Sequence, residues 1–310
     1  MLDHLSVNSI GQSHERRNGD VWSPRYIRML GERMELLATA GIPYRHVDAR
    51  DYHRLSGAIA AARPDAIVHL AAVAHITHTK TDAHLAFDHS INTLKNALDV
   101  AVAVGCKHFV YLSSSTVYGN FKKPVIDETE PLAPDNTYGG FKQMGEILCH
   151  RWVADHDLGV TIVRPQALYG PRCVSRRVTQ VFVENALSGV PLRIDGDGSA
   201  KHDFTHVADL TEGIKAILDQ PEKAIGQTFC LTAGEAISLI DLAQIIANLV
   251  PGTIIQFGPA DPDKPSRGTM SVGKAWRLLG WQPCIRLASG MVDLVEWYKQ
   301  FLAQENRDAA

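Results

Sequence analysis

Paired cysteines are missing from this chain. Its five cysteines, Cys106, Cys149, Cys173, Cys230 and Cys284, are odd in number and scattered, with no CxxC pair. That argues against a disulfide framework or a zinc ribbon and suits five reduced thiols used for packing. Long apolar runs are missing too: residues 58–62 and 66–74 are broken by Arg63, Pro64, Asp65 and His69, well short of the roughly 20 residues a membrane span needs. No positively charged start leads into an apolar stretch, so no secretory signal is expected and the cytoplasm is the expected compartment. Lysine and arginine total 31 against 34 acidic residues, with no basic stripe, which argues against a nucleic-acid partner. His69, His75, His78, His84 and His89 are dense, yet none is paired with a carboxylate or cysteine at ligand spacing, so no metal is expected. His75 and His78 suit a substrate-facing loop instead.

What remains is an ordinary globular composition, 310 residues with 45% hydrophobic and 21% charged, long enough to bury a core. Short β-rich apolar runs alternate with longer helical ones, the pattern of βαβ units and a parallel sheet. Strands are expected at residues 44–47, 66–70, 108–112 and 160–164, each buried on both faces. Helices are expected at 23–40, where Ser23-Pro24 reads as an N-cap followed by proline and Gly41 ends the run, and at 85–104 and 138–156. After Pro171 glycine and proline recur, which divides the chain into an α/β domain over 1–171, with later segments returning to it, and a smaller C-terminal lobe over 172–310. In the last expected helix, 289–303, Met291, Leu294, Val295, Trp297, Tyr298 and Leu302 read as core.

Two patterns carry chemistry. Tyr138-Gly-Gly-Phe-Lys142 sets a phenol and an ammonium one helical turn apart. A phenol with a pKa near 10 is a poor base at neutral pH, and a neighbouring cation stabilises the phenolate, so the pair could exchange a proton with a substrate hydroxyl. The same spacing also occurs on solvated helices that do nothing of the kind. The second pattern is the hydroxyl cluster Ser113-Ser114-Ser115-Thr116-Val117-Tyr118-Gly119 after the strand at 108–112, at the carboxyl end where open α/β sheets place ligands.

Together these resemble the extended short-chain dehydrogenase/reductase family, the nucleotide-sugar epimerases and dehydratases. Five stretches match in order: Ile67-Val68-His69-Leu70-Ala71-Ala72, Ile91-Asn92-Thr93-Leu94, residues 164–171 (RPQALYGP), residues 202–209 (HDFTHVAD) and residues 273–283 (GKAWRLLGWQP). The resemblance implies a Rossmann-like doubly wound parallel sheet, NAD as cofactor, a nucleoside-diphosphate sugar as substrate, and a homodimer built on the helices 85–104 and 138–156. It implies Tyr138 as catalytic base or acid, Lys142 as holder of the nicotinamide ribose, and Ser114 as the hydroxyl on the reacting oxygen. Asp3, Asp48, Ala49, Leu70, Ala71, Ala72, Asn92 and Pro165 would line the cofactor; Ser114, Thr116, Ala167, His202 and Arg267 would meet the substrate.

Three departures shape the expected reaction. Dehydratase-like members carry Asp-Glu directly after the catalytic hydroxyl, and this chain has Ser115-Thr116, which favours epimerisation at a sugar carbon, of the UDP-glucose 4-epimerase kind. The family's asparagine in the strand-end motif is Ala167, and its diphosphate arginine is His202, a weaker, pH-dependent substitute. Arg267 could supply that cation or be a plain surface arginine. Finally, residues 2–6 resemble the end of the family's second strand, and Gly11 and Gly19 do not form its GxxGxxG turn, so the first strand and the pyrophosphate-binding glycine turn are expected to be missing. A nucleotide-sugar reductase or dehydrogenase of the same fold, and a non-catalytic relic that no longer binds cofactor, stay open as alternatives.

Overall fold

The computed structural model describes residues 1–3, 22–73, 79, 82–260 and 266–308. Residues 4–6, Gly11, Gly19, His75 and His78, which entered the sequence reading, lie outside the described residues. In chain order the strands are β1 (Leu2–Asp3), β2 (Arg45–His46), β3 (Ala66–His69), β4 (His108–Leu112), β5 (Val125–Ile126), β6 (Gly159–Arg164), β7 (Leu192–Asp195), β8 (Lys201–Asp203), β9 (Thr228–Cys230), β10 (Ala236–Ser238), β11 (Ile255–Gly258) and β12 (Thr269–Met270). The α-helices are α1 (Ser23–Thr39), α2 (Tyr52–Ala62), α3 (Ala83–Phe87), α4 (Thr93–Ala103), α5 (Thr137–Asp155), α6 (Val178–Leu187), α7 (Val207–Asp219), α8 (Pro221–Ala224), α9 (Leu239–Leu249), α10 (Gly273–Leu279) and α11 (Leu287–Asp308). None of those described is long and apolar enough to cross a membrane.

The chain divides into two compact units. The first comprises Met1–Val117, Leu132–Val163 and Gln220–Thr228. Its sheet runs in the order β3-β4-β6-β9, with β3 to β4 and β4 to β6 parallel, and the unit boundary falls inside β9. A separate parallel pair joins β1 to β2, Leu2 opposite Arg45 and Asp3 opposite His46. Leu55 and Ile59 of α2, Leu94, Leu98 and Ala101 of α4, and Cys149 of α5 pack with Phe109 and Tyr111 of β4 and Ile162 of β6. Each helix brings one apolar stripe to the sheet, and β4 is buried along nearly its whole length, as expected of a central parallel strand. This is the Rossmann-like α/β architecture.

The second unit comprises Tyr118–Pro131, Arg164–Asp219 and Phe229–Ala310. It holds three two-stranded sheets, β7 with β11 and β5 with β12 in parallel, β8 with β10 antiparallel. In α11, Met291, Leu294, Val295 and Tyr298 are buried as expected, while Trp297 and Leu302 are half-buried.

Several expectations need correction. β2 is exposed and the first three residues of β3 are only half-buried, because β2 is two residues long and β3 pairs with β4 alone among the described residues. Ser23 does not cap α1 but is its first, buried residue, with Trp22 at the cap position. Cys284 is exposed and Cys173 half-buried, so only Cys106, Cys149 and Cys230 serve as packing thiols. The helix expected over 85–104 is broken by a π-helical turn, Asp88–Asn92, between α3 and α4. A π turn inserts a residue into the helical repeat, so the buried face shifts across it.

Candidate active site

α5 carries the Tyr138/Lys142 pair. Asn136 caps it, its side chain accepting from Gly139 N at 2.9 Å. Gly139 is required where it stands: a Cβ there would lie 2.6 Å from the Thr116 carbonyl oxygen, so the glycine lets the first turn of α5 close on the hydroxyl turn after β4. Gly145 serves likewise, since a Cβ would overlap the Tyr111 hydroxyl. Seated this way, α5 holds Tyr138 half-buried and Lys142 only 5% exposed. The Lys142 Nζ donates to the Leu112 carbonyl at 2.6 Å and lies 5.1 Å from the Tyr111 ring centroid. Burial pulls its pKa down to about 8.

The hydroxyl turn sorts itself by partner. Ser113 donates to Glu146 Oε1. Ser114 Oγ accepts from Thr116 N at 3.2 Å, which leaves its own proton free to donate. The Thr116 hydroxyl is buried with no hydrogen-bond partner among the described residues. A buried hydroxyl without a partner is costly, and a ligand oxygen would satisfy it.

The expected cofactor side lies at the carboxyl ends of β1, β2 and β3. Asp3 closes β1 opposite His46. Asp48 follows β2 and is gripped by Arg50, whose Nη2 donates to Oδ2 at 2.7 Å and whose backbone N donates to Oδ1 at 2.9 Å. Arg50 Nε also donates to both oxygens, at 3.0 and 3.1 Å, so Arg50 fixes the carboxylate on its loop. Leu70 and Ala71 are exposed and Ala72 is half-buried, an open apolar ledge of the kind a flat ring system covers. Small methyl-bearing residues, a carboxylate and a buried ammonium form a donor and acceptor set that fits an adenine-ribose-nicotinamide ligand.

Asn92 reaches this side through Asp88, whose Oδ2 lies 3.7 Å from Nη1 of the Arg50 that grips Asp48. Asn92 itself is exposed, at the end of the π turn. The inward positions are Ser90, whose hydroxyl accepts from Val73 N, and Asn96, whose Nδ2 donates to the Ala49 and Arg50 carbonyls at 3.0 Å each. Asn96 thereby fixes the loop that presents Asp48 and Ala49. A straight 3.6-residue count through 85–104 hides both.

The remaining expected residues belong to the second unit. Pro165 is buried after β6. Ala167 is half-buried with φ at +40°, a conformation that asparagine or glycine adopts more readily. His202 lies half-buried in β8, its ring 5.7 Å from that of Phe204. Arg267 is not a surface arginine: it is buried, donates to the Gly119 carbonyl and sits 5.6 Å from the Phe121 ring centroid. Beside the HDF motif, Asp203 is fully buried, its Oδ2 accepting from Thr232 Oγ1 at 3.0 Å and Met270 N at 3.1 Å. Burial, opposed by those hydrogen bonds, pushes its pKa up to about 7. The sequence reading singled out neither Asp203 nor Glu146; the only signal for Glu146 was its spacing of four from Lys142.

The model of the NAD dependent epimerase/dehydratase family matches residues 15–231. A Bacillus subtilis (strain 168) protein described as an uncharacterized UDP-glucose epimerase is 29% identical over 235 residues, 75% of this chain and 74% of that protein. A Streptomyces niveus dTDP-glucose 4,6-dehydratase is 27% identical over 262 residues, 81% of this chain and 77% of its own. Among solved structures, the dTDP-glucose 4,6-dehydratase of Streptomyces venezuelae with NAD bound has a TM-score of 0.77 at 26% identity, covering 83% of this chain and 79% of that one. The UDP-glucuronic acid 4-epimerase of Bacillus cereus, in complex with UDP-glucuronic acid and NAD, has a TM-score of 0.83 at 22% identity, covering 96% and 90%, a likeness of fold. The chain belongs to the NAD-dependent epimerase/dehydratase family, enzymes that modify nucleotide sugars.

Proposed function

We propose that this protein is an NAD-dependent nucleotide-sugar epimerase that inverts a hydroxyl-bearing sugar carbon. The observation that carries the reading is the turn after β4: Ser114 and Thr116 offer hydroxyls alone, and the buried carboxylate nearby, Glu146, is occupied by Ser113 rather than aimed from the turn. Elimination of water needs an acid and a base beside the hydride shuttle; inversion of a hydroxyl needs one proton carrier.

NAD, when bound, supplies reversible hydride acceptance. Tyr138 takes the proton from the sugar hydroxyl oxygen and returns it after inversion. Lys142 stabilises the phenolate and donates to the nicotinamide ribose, while Ser114 donates to the reacting oxygen and Thr116 completes its hydroxyl on the sugar. Asp3, Asp48, Ala49 and the Leu70–Ala72 ledge hold the adenosine side, with Pro165 on the cofactor side after β6. Ala167 is assigned to the substrate, and His202 and Arg267 to its diphosphate. The homodimer implied by the resemblance is supported by Met144 and Ile147, exposed on α5, and light scattering tests it.

The reaction is tested by incubating the purified chain with UDP- and dTDP-hexoses and separating the sugar products. An epimer formed without net change in nicotinamide absorbance supports the proposal; net consumption or release of the reduced cofactor assigns a reductase or dehydrogenase instead. Tyr138→Phe is expected to lower kcat by about 10²- to 10⁴-fold with little change in NAD affinity. Turnover undiminished in that variant would remove Tyr138 from the mechanism.

A further inference from the structure

α5 carries more ionisable chemistry than the proposed reaction uses. Tyr138, Lys142 and Glu146 recur every four residues and share one helix face. Glu146 is 2% exposed, and a carboxylate so buried is costly unless hydrogen-bonded and opposed by a cation. The hydrogen bond comes from Ser113, the residue immediately before Ser114. Lys142 stands one turn back on the same face, and its Nζ donates to the carbonyl of Leu112, the residue next to Ser113.

The groups that face the Lys142 ammonium come from three elements. α5 supplies Tyr138, Glu146 and Cys149; β4 supplies Tyr111 and the Leu112 carbonyl; β3 supplies His69. Burial holds His69 well below its ordinary value, and Lys142 itself adds to that, so the imidazole is neutral. Burial raises Tyr111 and Cys149 far above neutrality, so phenol and thiol carry no charge either. Apart from the proposed catalytic Tyr138, the group of opposite sign on this face is Glu146.

We propose that Glu146 is a positioning residue: anchored by Ser113, its carboxylate keeps the buried Lys142 ammonium charged and ties the hydroxyl turn to the helix that carries Tyr138. The proposal uses the assigned role of Lys142, but its physical content, the charge state of one buried lysine, stands apart from any turnover.

The test is an NMR titration of Lys142 in the full chain labelled in its lysine side chains, in the wild type, Glu146→Gln and Cys149→Ala. Glutamine keeps one oxygen able to accept from Ser113 and replaces the other with an NH2, so the charge is removed while that hydrogen bond can be kept. The wild type is expected to titrate near 8, Glu146→Gln at least about one unit lower, and Cys149→Ala within a few tenths of a unit of the wild type. An unchanged midpoint in Glu146→Gln, or an equal shift in Cys149→Ala, overturns the proposal. If Glu146→Gln does not fold, Glu146→Asp serves, with a smaller shift in the same direction; no shift overturns the proposal equally. NAD affinity followed against pH gives a second reading, the loss of binding in Glu146→Gln setting in at a pH lower by the same interval. Failure of the wild type to bind NAD or turn over a nucleotide sugar would defeat the proposed function while leaving the lysine titration readable.

Discussion

Ala167 and His202 show where single residues depart from what their places favour. With φ at +40°, the Ala167 side chain is held in the left-handed region, which costs an L-residue other than glycine about 1–2 kcal/mol. Ala167→Gly is therefore expected to raise the unfolding free energy by about 1 kcal/mol, as read from the denaturant midpoint at unchanged slope. Ala167→Asn should recover part of the same gain and add a side chain able to hydrogen-bond substrate, so KM should fall with it and stay unchanged in the glycine variant. At His202 the argument is charge and shape: a guanidinium meets a diphosphate with two parallel hydrogen bonds and an imidazole with one. His202→Arg is expected to lower KM for a nucleoside-diphosphate sugar by about tenfold at neutral pH. An unchanged KM would take His202 out of the substrate's reach.

At the scale of elements, α5 offers a paired test of how its seat on the hydroxyl turn matters. Gly139 and Gly140 are adjacent, yet a Cβ at Gly139 meets the Thr116 carbonyl at 2.6 Å, whereas one at Gly140 meets nothing within 4 Å. Gly140→Ala should stabilise the helix by up to about 1 kcal/mol through propensity alone. Gly139→Ala should cost about 1–3 kcal/mol by overpacking and lower kcat as Tyr138 shifts from the turn. Thermal melts and initial rates on the two variants check both signs. The same helix was legible in the sequence, because Asn136 and the glycines punctuate its start and its apolar residues recur at helical spacing. β4 was read to the residue, since a strand buried on both faces is a clean apolar run. The π turn at Asp88–Asn92 was not legible: it follows no composition rule, and it breaks the helix expected over 85–104 into two. That β3 pairs with β4 alone among the described residues escaped for a related reason, as its residues are as apolar as those of β4 and only pairing distinguishes them. Buried carboxylates were the other loss, because Glu146 and Asp203 look like surface residues until their hydrogen bonds are seen.

Across the whole molecule, two buried titratable groups of opposite chemistry divide the pH response between the units. In the first unit His69 is stacked on Phe109 and Tyr111 with ring centroids 5.9 and 6.3 Å away, and burial, aided by the Lys142 charge, lowers its pKa from 6.5 to about 3. The unfolded chain binds that proton more readily than the folded one between those values. The stabilisation is complete above about 6.5 and is lost as pH falls toward 3, by at most about 5 kcal/mol. In the second unit burial raises Asp203 from 3.8 to about 7, so the folded form binds its proton more readily across the interval between. Its contribution is complete below 3.8 and is lost as pH rises through about 7, by at most about 4 kcal/mol. Lowering the pH from 6.5 toward 4 should therefore loosen the first unit while tightening the second. Hydrogen exchange, corrected for intrinsic rates, should show protection falling in β4 and rising in β8 over that window. His69→Phe should flatten the first trend and leave the second, and Asp203→Asn should do the reverse. Both trends moving together in either single variant would mean that the two units unfold as one body and that neither group governs its own.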